Sequence, residues 1–141
     1  MKHIFVDTNI ILDVVTGRLP HSVEATSLFT LIEEEQIKSS ASSLSFSKLY
    51  YVLRKFATHQ KVVSKLKELS DLLHILSVDE STIKNALQSK FKDFEDAIQY
   101  YTALSDPKID AIVTRNIKDY KESGLPVMSP ETFLKTCYFT S

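Results

Sequence analysis

The sequence predicts an α/β protein, with a central, mainly parallel sheet of short strands and helices on both faces. Three observations carry this. Strand-length apolar runs alternate with longer stretches of helical periodicity along the chain. The two clearest runs, Ile4-Phe5-Val6 and Ala111-Ile112-Val113, are apolar throughout, as strands covered on both faces must be. Each of these runs then breaks off into polar residues, Asp7-Thr8-Asn9 and Thr114-Arg115-Asn116. Those residues fall at the carboxyl ends of strands, the edge where open α/β sheets bind ligands.

Taken in order, the first strand covers about His3–Asp7 and a short helix about Ile10–Thr16, with Gly17 ending it. Pro20 opens the next helix, about Pro20–Gln36, where Ala25, Leu28, Phe29, Leu31 and Ile32 recur at helical spacing. A short strand at Ile37–Ala41 precedes helices at Ser43–Phe56 and Gln60–Leu73. On the first of these helices Phe46, Leu49, Tyr50, Leu53 and Phe56 form the expected core stripe, with Lys48, Tyr51 and Lys55 opposite. His74–Val78 reads as a strand, Asp79–Ser89 and Asp93–Ser105 as helices, and Asp110–Thr114 as a strong strand. Pro126–Met128 is a last short strand, and Ser129-Pro130-Glu131 caps a C-terminal helix, with serine at the N-cap and proline at the first helical position.

The bulk properties narrow the possibilities. A chain of 141 residues with only two glycines and no low-complexity tract reads as one domain, 1–141. A net charge of −1 exerts no global pull on nucleic acid, so any such binding needs a local basic patch. The one cysteine, Cys137, forms no intramolecular disulfide and fits a reducing compartment. No apolar stretch approaches the ~18 residues of a membrane span, and the N-terminus lacks the pattern of a signal peptide. The expected setting is the cytoplasm, with no membrane partner.

Chemistry concentrates in three oxygen-rich segments. Asp7 ends the first strand. On the helix at Asp93–Ser105, a turn of ~100° per residue puts Asp93, Asp96, Tyr100, Ala103 and Leu104 on one face and Glu95, Gln99 and Thr102 on the other. Two readings of those aspartates stand, and they are compatible: helix capping and first-turn acid, or a working acidic site. Thr114, Asn116 and Asp119 follow the strong strand, either on the ligand edge or as turn formers. Carboxylates gathered in one cleft repel each other unless a cation joins them. Oxygen donors alone suit Mg²⁺ or Mn²⁺ rather than zinc, and His3, His21, His59 and His74 show no ligand spacing.

With these segments in view, the chain resembles the PIN-domain family of metal-dependent ribonucleases, and most of all its small stand-alone bacterial members, the VapC-type toxins. Val6-Asp7-Thr8-Asn9 is similar to the family's opening signature. Ser42–Phe56, with its Leu-Tyr-Tyr-Val-Leu-Arg-Lys ending, is similar to the helix after the second strand. Asp93-Phe94-Glu95-Asp96-Ala97-Ile98-Gln99 resembles the central acidic helix, Ile112 to Tyr120 the last motif, and Ser129 to Leu134 the tail. The resemblance implies a PIN-like three-layer sandwich with four or five short strands. It implies hydrolysis of RNA by a Mg²⁺- or Mn²⁺-dependent endoribonuclease, an antitoxin protein as partner, and a homodimer in contact through its early helices. Residue by residue, it makes Asp7 and Asp96 metal ligands with Asp93 as helper. It adds Asn116 and Asp119 to the catalytic set, and has Asn9 and Thr114 orient the carboxylates.

One position departs from the family. The helix Ser43–Phe56 usually brings a glutamate to the cleft, and Lys48 stands there. A lysine repels a divalent cation, yet it can neutralise Asp7 or Asp96, hold a substrate phosphate, or simply be solvated. Lys48, Tyr51, Lys55 and Arg115, with Arg54 beside them, form a candidate substrate-binding rim of phosphate-binding cations and a stacking aromatic. The alternative reading is a weakened or inactive PIN-fold module that binds RNA or protein. Two other α/β families fit poorly. A haloacid-dehalogenase-type phosphatase needs an acid where Asn9 stands, and a receiver domain needs one at the end of Ile37–Ala41.

Overall fold

The computed structural model describes residues 2–120 and 123–139; the rest of the expected 1–141 domain lies outside them. Its elements are β1 (His3–Val6), α1 (Thr8–Thr16), α2 (Ser22–Glu33), β2 (Lys38–Ser42), α3 (Ser43–Leu53), α4 (His59–Leu72), β3 (His74–Leu76), α5 (Glu80–Gln88), α6 (Phe94–Leu104), β4 (Ala111–Val113), a 3₁₀ turn (Ile117–Tyr120), β5 (Val127–Met128) and α7 (Pro130–Phe139). The strands form one five-stranded sheet in the order β3-β2-β1-β4-β5, and all four pairings are parallel. This is the expected α/β sandwich.

The side-chain period of two along a strand sorts the core into two layers. Ile4 and Val6 of β1 and Val113 of β4 pack with Ile10, Ile11, Leu28, Phe29, Leu49, Leu69 and Phe133, so α1 to α4 and α7 cover one face. Phe5 and Ile112 turn the other way, onto Tyr100, Ala103, Ile109 and Tyr120. Ala86, Ala97 and Ile98 join α5 to α6 on that second face. Burial on both faces explains why β1 and β4 contain no alternating polar residue.

Several element ends differ from those expected, each for a local reason. α1 begins at Thr8 because Asp7 already adopts the extended N-cap conformation. It stops at Gly17, whose φ of 65° is left-handed and whose N–H donates to the Asp13 carbonyl. α2 runs from Ser22 to Glu33 rather than from Pro20 to Gln36; Glu35, with a φ of 58°, turns the chain toward β2. α3 ends at Leu53, so the 3.6-residue period no longer reaches Phe56. That ring, expected in the core, is 78% exposed. β2 shifts by one residue to Lys38–Ser42, and its last residue, Ser42, also caps α3 by accepting from the Ser45 N–H at 3.2 Å.

A buried polar junction ties α1, α3 and α6 together. The hydroxyls of Thr8 and Ser45 lie 2.6 Å apart, and the Gln99 amide nitrogen donates to both, at 3.1 and 3.0 Å. All three residues are buried, so each hydrogen bond replaces one that water can no longer make. Thr8→Val keeps the shape but removes one partner. It should cost about 1–3 kcal/mol through the unmet buried donors. Urea unfolding should show a lower midpoint at unchanged slope, and an unchanged midpoint would remove the junction from the stability of the fold.

Candidate active site at the carboxyl edge of the sheet

β1 and β4 pair in register at Val6 and Val113, so the residues that follow, Asp7 and Thr114, emerge side by side. The Thr114 hydroxyl donates to Asp7 Oδ2 at 2.8 Å, and it accepts from the Asn116 N–H at 3.1 Å. Asp7 is buried, and burial pushes its carboxyl above the ordinary range. The Thr114 hydroxyl and the backbone N–H groups of Thr8 and Asn9 pull the other way, more weakly, while the charge of Glu95 pushes up. Asn9 thus reaches Asp7 through its backbone; its side chain makes no hydrogen bond among the described residues.

α6 brings the next acids. Asp93 is its N-cap, with Oδ1 accepting from the Asp96 N–H at 3.0 Å, so capping and a place at the site coexist in one residue. Asp96 lies one turn in. Partial burial, then the charges of Asp93, Asp119, Asp7 and Glu95, raise its carboxyl to about 7. Asp93, Asp96 and Asp119 line one cleft of about 230 Å³. The exposed Asn116 side chain has no hydrogen-bond partner among the described residues.

Tyr120, which the sequence reading did not single out, lies beneath this group. It is buried, its hydroxyl has no hydrogen-bond partner among the described residues, and its proton is held far more tightly than usual. Desolvation is the main cause, followed by the charges of Asp7, Asp96, Asp119 and Asp93. A buried hydroxyl without a partner is uncommon in a folded protein.

The basic residues fall in different places from one another. Lys48 Nζ donates to Glu95 Oε2 at 2.6 Å, across from α3 to α6. Glu95 shares a helix face with Gln99, which the junction with Thr8 and Ser45 aims at α1 and α3. Sequence periodicity placed Glu95 opposite Asp96 but could not say that α3 would lie there. Arg115 is turned toward α1: its Nε sits 2.8 Å from Oδ2 of the fully buried Asp13 in an ion pair not aligned as a hydrogen bond. Arg18 binds the other oxygen of Asp13 at 3.1 Å. Tyr51 and Lys55 are exposed on and just after α3, and no contact among the described residues joins them to the acids.

A divalent cation fits this donor set under one condition. Among the described residues, no three acid, histidine or cysteine side chains stand close enough together to hold a metal. The donors are nonetheless all oxygens, the acids repel one another, and a buried hydroxyl beside them is unpaired. Mg²⁺ is commonly held by one or two carboxylates, with water and substrate phosphate completing its shell. Asp7 and Asp96 are close enough for their charges to interact.

The raised carboxyl of Asp96 has a thermodynamic consequence in the metal-free protein. Its folded value of about 7 lies above the unfolded 3.8, so between them the folded state holds a proton that the unfolded state has released. Stability therefore falls as pH rises from about 4 to about 7 and is level in this respect above that. Asp96→Asn should flatten this slope and raise the melting temperature at pH 8 in EDTA. Identical melting profiles for both proteins from pH 4.5 to 8 would contradict the crowding of these acids.

Comparison with known proteins agrees with this fold. No functionally curated protein is similar enough in sequence to count as a relative. In fold, the chain is similar to the VapBC2 complex of Rickettsia felis bound to a DNA fragment from its promoter, at 17% identity and a TM-score of 0.64, over 90% of this chain and 97% of that one. It is similar also to a toxin–antitoxin complex from Klebsiella pneumoniae (24%, 0.65, 89% and 96%). A third likeness is to VapBC-1 from nontypeable Haemophilus influenzae (16%, 0.66, 92% and 98%). The sequence itself matches the PIN domain over residues 3–118, a span that holds Asp7, Asp93, Asp96 and Thr114, and the chain therefore belongs to the PIN-domain family.

Proposed function

We propose that this protein is a Mg²⁺- or Mn²⁺-dependent endoribonuclease and the toxin of a toxin–antitoxin pair. The observation that carries the nuclease reading is the gathering of Asp93, Asp96 and Asp119 in one cleft, where partial burial first, and then the charges of Asp93, Asp119, Asp7 and Glu95, hold the Asp96 proton up to about 7. Acids gathered in a partly buried cleft, one of them with a strongly perturbed proton affinity, mark a candidate functional site. Asp7 and Asp96 are the residues that would hold the cation, with Asp93 and Asp119 adding negative charge around it. When bound, the cation supplies Lewis-acid polarisation of a phosphodiester and a more acidic water. Thr114 fixes the Asp7 carboxylate.

The partner proposals have separate supports. The similarly folded complexes from Klebsiella pneumoniae and Haemophilus influenzae are a toxin–antitoxin complex and VapBC-1, which favours an antitoxin partner here. Exposed Leu19 and Val23, before and on α2, favour self-association through the early helices. A sedimentation coefficient of the monomer at all concentrations would exclude that dimer. None of the described helices is long and apolar enough to cross a membrane.

A second reading, a PIN fold that binds without cutting, is favoured by the absence of a preassembled metal-holding group among the described residues and by Lys48 on Glu95. One assay separates the two. With total RNA and Mn²⁺ or Mg²⁺, the wild type should cleave, and Asp7→Asn or excess chelator should abolish cleavage. Equal cleavage in all three would end the metal-site reading, and none in any would favour the binding module.

Lys48 gives an independent measurement. Its pair with Glu95 is half exposed, so Lys48→Met should change folding stability by less than about 1 kcal/mol. Removing a cation from beside the acids should nevertheless tighten Mn²⁺ binding severalfold in calorimetry. Unchanged Mn²⁺ affinity would separate Lys48 and Glu95 from the metal-holding acids.

A further inference from the structure

The cleft that contains Asp93, Asp96 and Asp119 is walled by Lys90, Lys92 and Lys118 as well. None of these lysines makes an ion pair or a side-chain hydrogen bond among the described residues, although three carboxylates share the cleft with them. Lys48, by contrast, is engaged with Glu95, and Arg115 with Asp13. Among the described residues, the unpaired cations of this cleft are therefore away from the Lys48 that α3 offers.

That lip is fixed in place. In Lys90-Phe91-Lys92, the central ring turns inward and packs on Tyr100 at 5.1 Å and on Tyr120 at 6.0 Å between centroids. The Phe91 N–H also donates to the Ser89 hydroxyl at 3.3 Å. With Phe91 pinned, Lys90 and Lys92 are held on either side of it at the mouth. Tyr120 closes the 3₁₀ turn that carries Lys118, so the contact of Phe91 with Tyr120 joins the two lysine-bearing segments.

We propose that Lys90, Lys92 and Lys118 form a phosphate-binding lip that holds the backbone of a single RNA strand next to the acids. This rests on the ribonuclease reading above and adds to it the side of the cleft along which the strand runs. Carboxylates facing the reacting phosphodiester repel the polyanion, and three unpaired ammonium groups on one lip offset this at the neighbouring phosphates. Such contacts set affinity and position without reading sequence.

The test is binding of a fluorescein-labelled single-stranded RNA in EDTA, followed by anisotropy across a salt series. Without divalent ions no cleavage is involved, so this measurement stands apart from the Asp7→Asn assay: either can fail while the other succeeds. Single strands lose about 0.7 of log–log salt slope per phosphate contact. The triple variant K90A/K92A/K118A should therefore show a slope smaller by about 2 and a dissociation constant at least about tenfold weaker at 0.1 M salt. A control with the same charge change on α4, K61A/K65A/K67A, should keep both near wild type. Wild-type affinity and slope in the lip variant, or an equal loss in the α4 control, would overturn the proposal. So would displacement of the RNA by poly-glutamate of equal charge as effective as displacement by unlabelled RNA.

Discussion

The site depends on one constraint, the parallel pairing of β1 with β4 at the centre of the sheet. With Val6 opposite Val113, the next residue of each strand leaves the sheet at the same level, and Asp7 meets Thr114. A slip of one residue would reverse every side chain of β1 between the two core layers. The burial of Ile4 and Val6 on one face and of Phe5 on the other prevents that slip. The apolar core thereby fixes the position of a carboxylate that plays no part in packing.

Charge is the second organising force, and it is unequally resolved. Asp13 is fully buried and shared by two arginines, which locks Arg115 and the chain after β4 onto α1. Burial of a charge is tolerated there because it is paired. Asp7, Asp96, Asp93 and Asp119 form no ion pair among the described residues, and burial followed by their mutual charge holds the Asp96 proton up to about 7. Glu95 lies between these regimes, close enough to raise Asp7 and Asp96 yet tied to Lys48. Lys48 is thus half of an ion pair whose acid comes from α6.

Most of the architecture was legible in the chain. Hydrophobic period and strand-end polarity located every strand and helix, and the caps at Asp93 and Ser129 act as their positions indicated. Misplaced ends followed from local backbone events that period does not report, such as the end of α3 at Leu53, which left Phe56 in solvent. At the site, Asp7, Asp93, Asp96, Thr114 and Asp119 stood out as acids and hydroxyls at element ends. Glu95, Tyr120, Asp13 and the lysines of the cleft did not. Glu95 and Asp13 are single acids on helices, and only their distant partners give them meaning. Tyr120 looked like an ordinary core aromatic, and its hydroxyl becomes conspicuous only because four acids surround it.

The sequence by itself determined the order of strands and helices, the parallel sheet and the acids at its carboxyl edge, because these follow from local period and from chain order. Only the tertiary structure decided which charges meet. Lys48 with Glu95, Arg115 with Asp13, and the three unpaired lysines beside Asp96 each depend on how separate elements pack. Electrostatic energy acts through distance in space, and residues 47 or 102 positions apart carry no local signal of their meeting.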